Sequence, residues 1–358
     1  MRVAITHDYL NQFGGAERVL EILTDMYPDA PIYTLFYDKN ALNGRFDKKI
    51  AKTSFLDRSF IRDHHRAFIP LFPLAAHSVN LGHDYDAVIS NSVGFGKAMR
   101  HSRAKHIFYC NALLRYAWDP ETHLKDFLPK PLYTLSRPAT SAMRTWDRWT
   151  GRKADIIVSN SEYTRHRIRK FYDRDSEIIY PPVDTEFFRP DKNIEKKYYL
   201  AVGRLIPYKK FDIVVKAFNK LDLPVRIIGD GREYERLKSL ATSPKIEFTG
   251  FIHDPEKLRK EYNGAKAFLF PQVEDFGLVA AESLSCGTPV IGYAEAGAKE
   301  MVTHGKNGLL FEEQTADALR SAVEKFEGLK FDPTEISLSA EKFSRKEFES
   351  KFRKIIEE

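Results

Sequence analysis

Residues 271–290 read PQVEDFGLVAAESLSCGTPV, and this stretch decides the fold. The apolar run AKAFLF at 265–270 precedes it and predicts a buried strand, which a proline ends because proline cannot donate to a strand ladder. The residues after Gly277 favour a helix to about Cys286, and PVI at 289–291 indicates the next strand. Alternation of strands and helices, which continues along the chain, predicts an α/β fold with a parallel, doubly wound sheet.

Two glutamates stand eight residues apart in this stretch. Glu274 is expected in the loop before the helix and Glu282 about two turns into it, which separates them by about 12 Å. That distance suits the two ends of a nucleotide-sugar, and the amides of Gly277 and Leu278 between them would favour a diphosphate. The alternative is an ordinary helix that Asp275 caps and on which Glu282 is solvated.

The sequence EDFGLVAAE, followed by CGTPVIG, resembles the E-x7-E signature of the retaining glycosyltransferases of family 4. The resemblance extends over nearly the whole chain and implies the GT-B fold, in which two Rossmann-like doubly wound domains face a cleft. It also implies that Glu274 contacts hydroxyl groups of the donor sugar and that Glu282 hydrogen-bonds the donor ribose.

The composition is that of a soluble globular protein with room for two domains, with 358 residues of which 43% are hydrophobic and 30% charged. The two cysteines, Cys110 and Cys286, predict no disulfide framework and suit a reducing cytoplasm. No run approaches the roughly 20 apolar residues of a membrane span, and the N-terminal apolar run is too short for a signal peptide. Any membrane contact is therefore expected to be peripheral.

Basic residues are concentrated in the first half of the chain. Residues 1–180 hold 27 Lys and Arg against 20 Asp and Glu, whereas residues 181–358 hold 29 against 30. A basic half fits an anionic membrane surface, an anionic substrate or nucleic acid. No helix-turn-helix, zinc-finger or RNA-recognition pattern is visible, so nucleic acid is not expected as a partner.

Residues 45–77 interleave basic and aromatic side chains, among them Lys48, Lys49, Lys52 and Phe60. On surface helices such a mixture predicts an interfacial contact with an anionic membrane. The alternative is a solvated basic surface whose aromatic side chains face the core.

Gly14 and Gly15 lie between a first strand, VAI at 3–5, and a first helix. The pair predicts backbone amides at a cleft, with a plain tight turn as the alternative, and it is not a dinucleotide fingerprint because G-x-G-x-x-G is missing. In the family that the chain resembles, a glycine-rich loop at this position faces the donor diphosphate.

The domain boundaries are predicted from a proline pair and from the C-terminal segment. Residues 1–182 form an acceptor-side domain that ends at a stiff Pro-Pro linker, and residues 183–335 form the nucleotide-sugar-binding domain. Residues 336–358 contain a capping box, Ser344-x-x-Glu347, and the resemblance places this last helix back on the N-terminal domain.

Arg204 and Lys209, in GRLIPYK at 203–209, are the expected diphosphate ligands. Negative charge grows on the leaving diphosphate when the anomeric bond breaks, and fixed cations stabilise it. The alternative is two ordinary surface cations. No Asp-x-Asp in a cleft loop and no His/Cys ligand cluster is visible, so no metal or other cofactor is expected.

The chain departs from the family pattern at two positions. Asn111 stands where relatives carry a histidine near the reacting centre, and Val93 stands in place of a second histidine. Asparagine hydrogen-bonds but does not carry a proton near neutral pH. Asn111 is thus a candidate catalytic residue. Because it replaces a histidine, an inactive protein remains an alternative.

The stretches HDYL, GGAERVLE, PPVDTEFF and EDFG resemble most closely the mannosyltransferases that build bacterial surface polysaccharides. This resemblance implies a retaining glycosyltransferase, with mannose from GDP-mannose as the leading donor and a lipid-linked saccharide as acceptor. It is expected in the cytoplasm, peripheral on the inner face of the plasma membrane. The alternatives are a catalytically silent nucleotide-sugar-binding subunit and a nucleotide-sugar epimerase of similar architecture.

Overall fold

The computed structural model describes residues 1–123 and 130–357, which form two compact units. Met1–Pro181 and Glu349–Glu358 make up the first unit, and Pro182–Phe348 makes up the second. The chain thus passes from one unit to the other within the proline pair, and its last residues group with the first unit.

The first unit is built on a seven-stranded parallel sheet with the order β3-β2-β1-β4-β5-β6-β7. The inner strands are buried along their whole length, because helices cover both faces of a parallel sheet. The strands are β1 (Val3–His7), β2 (Ile32–Thr34), β3 (Ile50–Thr53), β4 (Ala87–Ser92), β5 (Lys105–Cys110), β6 (Ile156–Ser159) and β7 (Glu177–Ile178).

Helices of the first unit connect these strands, and two 3₁₀ helices, His65–Leu71 and Gly96–Ala98, lie between them. The last helix joins this unit at its C-terminal end, where Lys105 Nζ donates to the carbonyl of Ile355 at 3.0 Å. The helices are α1 (Gly15–Met26), α2 (Ser59–Asp63), α3 (Phe72–Ser78), α4 (Arg115–Trp118), α5 (Pro120–His123), α6 (Lys130–Leu135), α7 (Arg137–Arg152), α8 (Glu162–Tyr172) and, at the end of the chain, α16 (Arg345–Glu357).

The second unit contains a six-stranded parallel sheet with the order β10-β9-β8-β11-β12-β13. Its core lies mainly between the sheet and the helices α9 and α14, where Phe218, Leu319 and Val323 are fully buried. The strands are β8 (Tyr198–Val202), β9 (Val225–Ile228), β10 (Ile246–Gly250), β11 (Ala265–Phe270), β12 (Val290–Tyr293) and β13 (Gly308–Phe311), and the helices are α9 (Phe211–Phe218), α10 (Tyr234–Leu240), α11 (Pro255–Asn263), α12 (Leu278–Ser285), α13 (Ala296–Met301), α14 (Ala316–Glu327) and α15 (Pro333–Ser339).

Both sheets are doubly wound, since in each the first strand lies inside and later strands extend to either side. The predicted α/β class with two such sheets is confirmed. Residues 45–77, for which surface helices were considered, also contain the edge strand β3 at Ile50–Thr53. Its two central residues are exposed and its two end residues are half-buried, so it lacks the apolar run by which a buried strand is recognised.

Candidate functional site

The carboxyl ends of β8 and β11 lie side by side in the second sheet, at the point where the strand order reverses. In open α/β sheets, ligands bind in the crevice outside such a switch point. The loop 203–209 follows β8 and the loop 271–277 follows β11. The fold therefore brings together two stretches that are 68 residues apart in the chain and that the sequence singled out separately.

Lys209 and Glu274 form an ion pair between these two loops. Lys209 ends the 3₁₀ helix Pro207–Lys209, and the two side chains are only 10% and 16% exposed. Gln272 Nε2 donates to Glu274 Oε1 at 3.3 Å, and the Gly297 amide donates to the Glu274 carbonyl at 2.9 Å. One cation and one carboxylate are thus fixed at the same point of the sheet edge.

Arg204 lies at the other end of the loop after β8, and its side chain is exposed. The neighbouring Leu205 is fully buried, and its amide donates to the Asp230 carbonyl at 2.8 Å. The loop is therefore anchored to the loop after β9, while Arg204 faces solvent beside the anchor.

Gly277 caps the N-terminus of α12 in the left-handed region, with φ 103° and ψ 66°. A Cβ atom there would lie 2.5 Å from the Phe270 ring, so both backbone conformation and packing require glycine. The N-cap residue Gly277 has no side chain that could cap the helix, and Leu278 is the first helical residue. The first N–H groups of a helix have no intrahelical acceptor, which makes this end electropositive. The N-cap position is thus occupied by Gly277 and not by Asp275.

Glu282 lies one turn inside α12, since the helix begins only at Leu278. The helical rise from Leu278 to Glu282 is about 6 Å, so the prediction that Glu282 lies about two turns into the helix was wrong by about one turn. The Glu282 side chain is 1% exposed, and the Tyr262 hydroxyl donates to its Oε2 at 2.9 Å. The structure thus pairs Glu274 with Lys209 and Glu282 with Tyr262, and Glu282 is not solvated.

In the first unit, a chain of hydrogen bonds links the ends of three adjacent strands. Asn111 Nδ2 donates to Asn91 Oδ1 at 2.6 Å, and Asn91 Nδ2 lies 3.2 Å from His7 Nδ1. His7 Nε2 lies 3.2 Å from Glu17 Oε1, and Glu17 Oε2 accepts from the Gly14 amide at 2.7 Å. We call this set, from Asn111 to Gly14, the polar chain.

The polar chain joins two of the predicted site positions, Asn111 and Gly14. It also adds His7, Asn91 and Glu17, to which the sequence assigned no role, although polar residues at the ends of adjacent buried strands were a signal. The Gly14 amide is occupied by the Glu17 carboxylate in a capping box. Gly15 opens α1 and is exposed.

Val93 stands in a loop that Asp8 organises. Asp8 accepts hydrogen bonds from the Ser92 hydroxyl at 2.7 Å, from the amides of Phe95 and Gly96 at 2.6 Å each, and from the Val93 amide. The carboxylate is buried, so these donors replace its hydration. The backbone after β4 is therefore fixed independently of the side chain at position 93.

Two family models match the chain in succession. The model described as Glycosyltransferase Family 4 matches residues 13–187, and the model described as Glycosyl transferases group 1 matches residues 183–343. The chain belongs to glycosyltransferase family 4. The second model contains all the predicted site residues of the second unit, from Arg204 to Glu282.

The curated relatives of this family 4 chain include two mannosyltransferases. The GDP-mannose-dependent alpha-(1-6)-phosphatidylinositol monomannoside mannosyltransferase of Mycolicibacterium smegmatis is 30% identical over an alignment of 210 residues that covers 50% of this chain and 55% of that protein. The protein of the same name from Mycobacterium tuberculosis is 31% identical over an alignment of 206 residues that covers 49% of this chain and 53% of that protein. The chain spans about half the length of these relatives.

Solved structures of low identity share the fold. Anabaena HepE in complex with UDP has a TM-score of 0.71 at 16% identity, with all of both chains covered. Sucrose-phosphate synthase from Thermosynechococcus elongatus has a TM-score of 0.72 at 17% identity, with 100% of this chain and 98% of that chain covered. These similarities agree with the two doubly wound sheets and confirm the predicted GT-B class.

Across residues 1–123 and 130–357, no group of three or more His, Cys, Asp or Glu side chains is arranged to hold a metal ion. Within the same residues, no helix is both long and apolar enough to cross a bilayer.

Proposed function

We propose that this family 4 protein is a retaining glycosyltransferase that moves a sugar from a nucleotide-sugar to a lipid-linked saccharide. GDP-mannose is the leading donor, because the two curated relatives described above are named as GDP-mannose-dependent enzymes. The observation that carries the proposal is the Lys209–Glu274 pair beside the start of α12, at the switch point of the second sheet.

The proposed catalysis follows from the negative charge that develops on the leaving nucleoside diphosphate. Departure of the nucleoside diphosphate concentrates negative charge on its phosphates, and cations that are already in place stabilise that charge without reorganising. Lys209, Arg204 and the amide end of α12 supply positive charge on one edge of the sheet. The Lys209 ammonium has three N–H donors, so it can hold Glu274 and a phosphate at the same time, and the other acceptor positions of Glu274 can receive sugar hydroxyls.

We assign no metal to the reaction, and the leaving phosphate helps to deprotonate the acceptor. Activity should therefore persist in EDTA. Loss of transfer in EDTA with rescue by a divalent cation would contradict this part of the proposal.

Glu282 can take its predicted role at the donor ribose only if its contact with the Tyr262 hydroxyl is replaced or shared. Its carboxylate is buried against the Tyr262 hydroxyl, so a ribose hydroxyl would have to replace or share that contact. Glu282→Gln is expected to weaken binding of the nucleoside diphosphate, whereas Glu274→Gln should leave that binding unchanged and lose discrimination between sugars. If Glu274→Gln abolishes binding of the bare nucleoside diphosphate, the two roles are misassigned.

The central experiment measures binding and transfer separately. Purified protein is mixed with GDP-mannose, UDP-glucose and UDP-galactose in turn, and a donor that binds the folded state raises the melting temperature. Transfer from the stabilising donor to a lipid extract then tests for turnover, and NMR of the product gives the anomeric configuration. Stabilisation by none of a broad panel of nucleotide-sugars would refute the proposal.

The silent-subunit alternative has one observation in its favour. The side-chain NH₂ of Asn111 is already engaged by Asn91 at 2.6 Å, and Asn160 Nδ2 donates to the Asn111 carbonyl at 2.7 Å. Donor binding without turnover in both the native protein and Asn111→His would favour that alternative. Turnover by the native protein would exclude it.

We infer that membrane binding depends on four exposed apolar side chains, Phe55, Phe60, Leu71 and Leu74. These side chains are 53%, 63%, 40% and 65% exposed, and the basic residues Lys48, Lys52 and Arg58 are exposed near them in sequence. Lys49 is excluded from this group, because its ammonium donates to the carbonyls of Thr24 and Pro28. These residues would place the protein on the inner face of the plasma membrane.

Vesicle co-sedimentation tests this inference. Phe60→Ser with Leu74→Ser should reduce binding to anionic vesicles, and so should Lys48→Glu with Lys52→Glu, the latter effect shrinking as salt rises. Leu338→Ser is the control, since Leu338 is 65% exposed but belongs to the second unit. Binding that neither double variant changes would refute the role of these residues.

A further inference from the structure

A pocket of about 270 Å³ opens in the second unit at the amino ends of β8, β11 and β12. This is the edge of the sheet opposite to the loops that hold Arg204 and Glu274, so the pocket is separate from the proposed donor site. Its walls expose polar and apolar surface in about equal parts, and the apolar part includes Phe326, Phe331 and Ile336. The rings of Phe326 and Phe331 stack with their centroids 5.2 Å apart.

Lys196 is the charged residue that distinguishes this pocket. Its Nζ donates to Thr288 Oγ1 at 2.8 Å and to the Ala265 carbonyl at 3.0 Å, and the Asn263 carbonyl lies at 3.5 Å. All three acceptors are neutral, and the last distance is at the limit of hydrogen bonding. One N–H of the ammonium is therefore weakly held.

Lys196 also lacks a carboxylate partner. Within the part of the chain that the structure describes, no Asp or Glu forms an ion pair with it, and the neighbouring Cys286 thiol is kept neutral because burial raises its pKa. Burial lowers the pKa of Lys196 to about 8, as expected for an ammonium removed from water without a counter-ion.

The second lysine in the pocket is neutralised. Lys266 Nζ lies 3.0 and 3.1 Å from the two oxygens of Glu327, which also accepts from the Tyr199 hydroxyl at 2.5 Å. The charges of Lys266 and Glu327 cancel, and the pocket keeps one net positive charge, on Lys196. An anion at Lys196 would restore the missing counter-ion.

We propose that this pocket binds a small organic anion, in which an apolar ring or short chain lies against Phe326, Phe331 and Leu329 and a carboxylate or phosphate group pairs with Lys196. The pocket offers a contact to each of the two parts of such a ligand, the apolar group and the anionic group. Burial of the apolar part supplies the non-directional attraction, and the unpaired ammonium selects the anion. The pocket volume suits a ligand of roughly ten non-hydrogen atoms.

Phenyl phosphate and benzoate are the probes, with benzamide and inorganic phosphate as matched compounds that each lack one part. Ligand-observed NMR titration should give a Kd of about 1 mM for the two complete probes, as is usual for ligands of this size. Benzamide and inorganic phosphate should bind at least about tenfold more weakly. Equal binding of benzamide and benzoate would overturn the proposal, as would no binding of either complete probe at 10-fold that concentration.

Variants locate the site. Lys196→Met should weaken phenyl phosphate binding at least about tenfold, while Lys197→Met, its exposed neighbour that pairs with Glu195, should stay within about twofold. Leu329→Asp, at a residue 41% exposed, introduces repulsion without altering the buried lysine and should weaken binding similarly. This variant keeps the test decisive if Lys196→Met does not fold. Unchanged binding in Leu329→Asp would place the probe elsewhere and refute the proposal.

Discussion

His106 should make the first unit sensitive to mild acid. The imidazole lies on β5, is 3% exposed, and its Nε2 is 2.8 Å from the Ser90 hydroxyl. Burial, the nearby His101 ring and Lys97 lower the pKa of His106 from 6.5 to about 3. The folded state thus requires the neutral ring, whereas the unfolded chain takes up a proton below about pH 6.5.

The sign and size of the effect follow from linkage. Since the folded pKa is depressed, the contribution of His106 to stability is fully present above pH 6.5 and is lost as the pH falls from there toward 3. With these two pKa values, the loss between pH 7 and pH 5 is about 2 kcal/mol, and the limiting loss is about 5 kcal/mol.

Urea unfolding followed by tryptophan fluorescence measures the free energy of unfolding of the first unit. All three tryptophans, Trp118, Trp146 and Trp149, lie in the first unit, so their signal reports its unfolding. In His106→Gln no charge appears at this position, and the free energy of unfolding should fall by about 2 kcal/mol less than in the native protein between pH 7 and pH 5. His77→Gln, at an exposed histidine of the same unit, should follow the native curve. Parallel curves for the native protein and His106→Gln would refute the reasoning.

Four further predictions concern single contacts. Lys97→Met should cost about 3–5 kcal/mol in the tryptophan-monitored unfolding, because it strips the fully buried Asp147 of its ion pair; a cost below about 1 kcal/mol would contradict this. Gly277→Ala should cost about 1–3 kcal/mol by circular dichroism and more than Gly305→Ala, which has φ 80° but open space around its Cβ. Tyr262→Phe should cost about 1.5–3 kcal/mol, because the buried Glu282 carboxylate loses a donor; an unchanged melting curve would show that water replaces the hydroxyl. Lys209→Ala should lower kcat about 10²–10³-fold with a smaller effect on nucleoside monophosphate affinity, whereas Lys210→Asn should leave both unchanged; equal losses would indicate ground-state binding alone.

The order of elements in the second unit was predictable from local signals. The apolar run before Pro271, the glycine at position 277 and the glycine after Cys286 mark a strand, a helix start and a helix end, and the structure has β11 and α12 there. Only half of the predicted Ser344 capping box is present: the Glu347 amide donates to the Ser344 hydroxyl at 3.3 Å, whereas the Ser344 amide donates to the Glu341 carbonyl at 2.9 Å. Such features depend on residues within one turn of each other, which is why a sequence displays them.

The burial of Glu282 was not predictable in the same way. Helical periodicity states which residues share a face, but the face of α12 that carries Glu282 packs beside Tyr262, 20 residues earlier on another helix. The pairing of Lys209 with Glu274 likewise depends on β8 and β11 being neighbours in the sheet. A sequence can nominate both residues for chemistry, but the sheet order decides which charges meet.

The polar chain shows the same principle at the position where the chain departs from its family. Asn91 joins His7 and Asn111 only because β1, β4 and β5 are adjacent, and 84 residues separate His7 from Asn91. Asn111 is therefore the end of the polar chain, and not merely a position at which the histidine of relatives is absent. An imidazole in its place would have to donate to Asn91 Oδ1 to keep the series intact, and that would fix its tautomer. The value of a histidine at position 111 thus depends on Asn91 as much as on the imidazole itself.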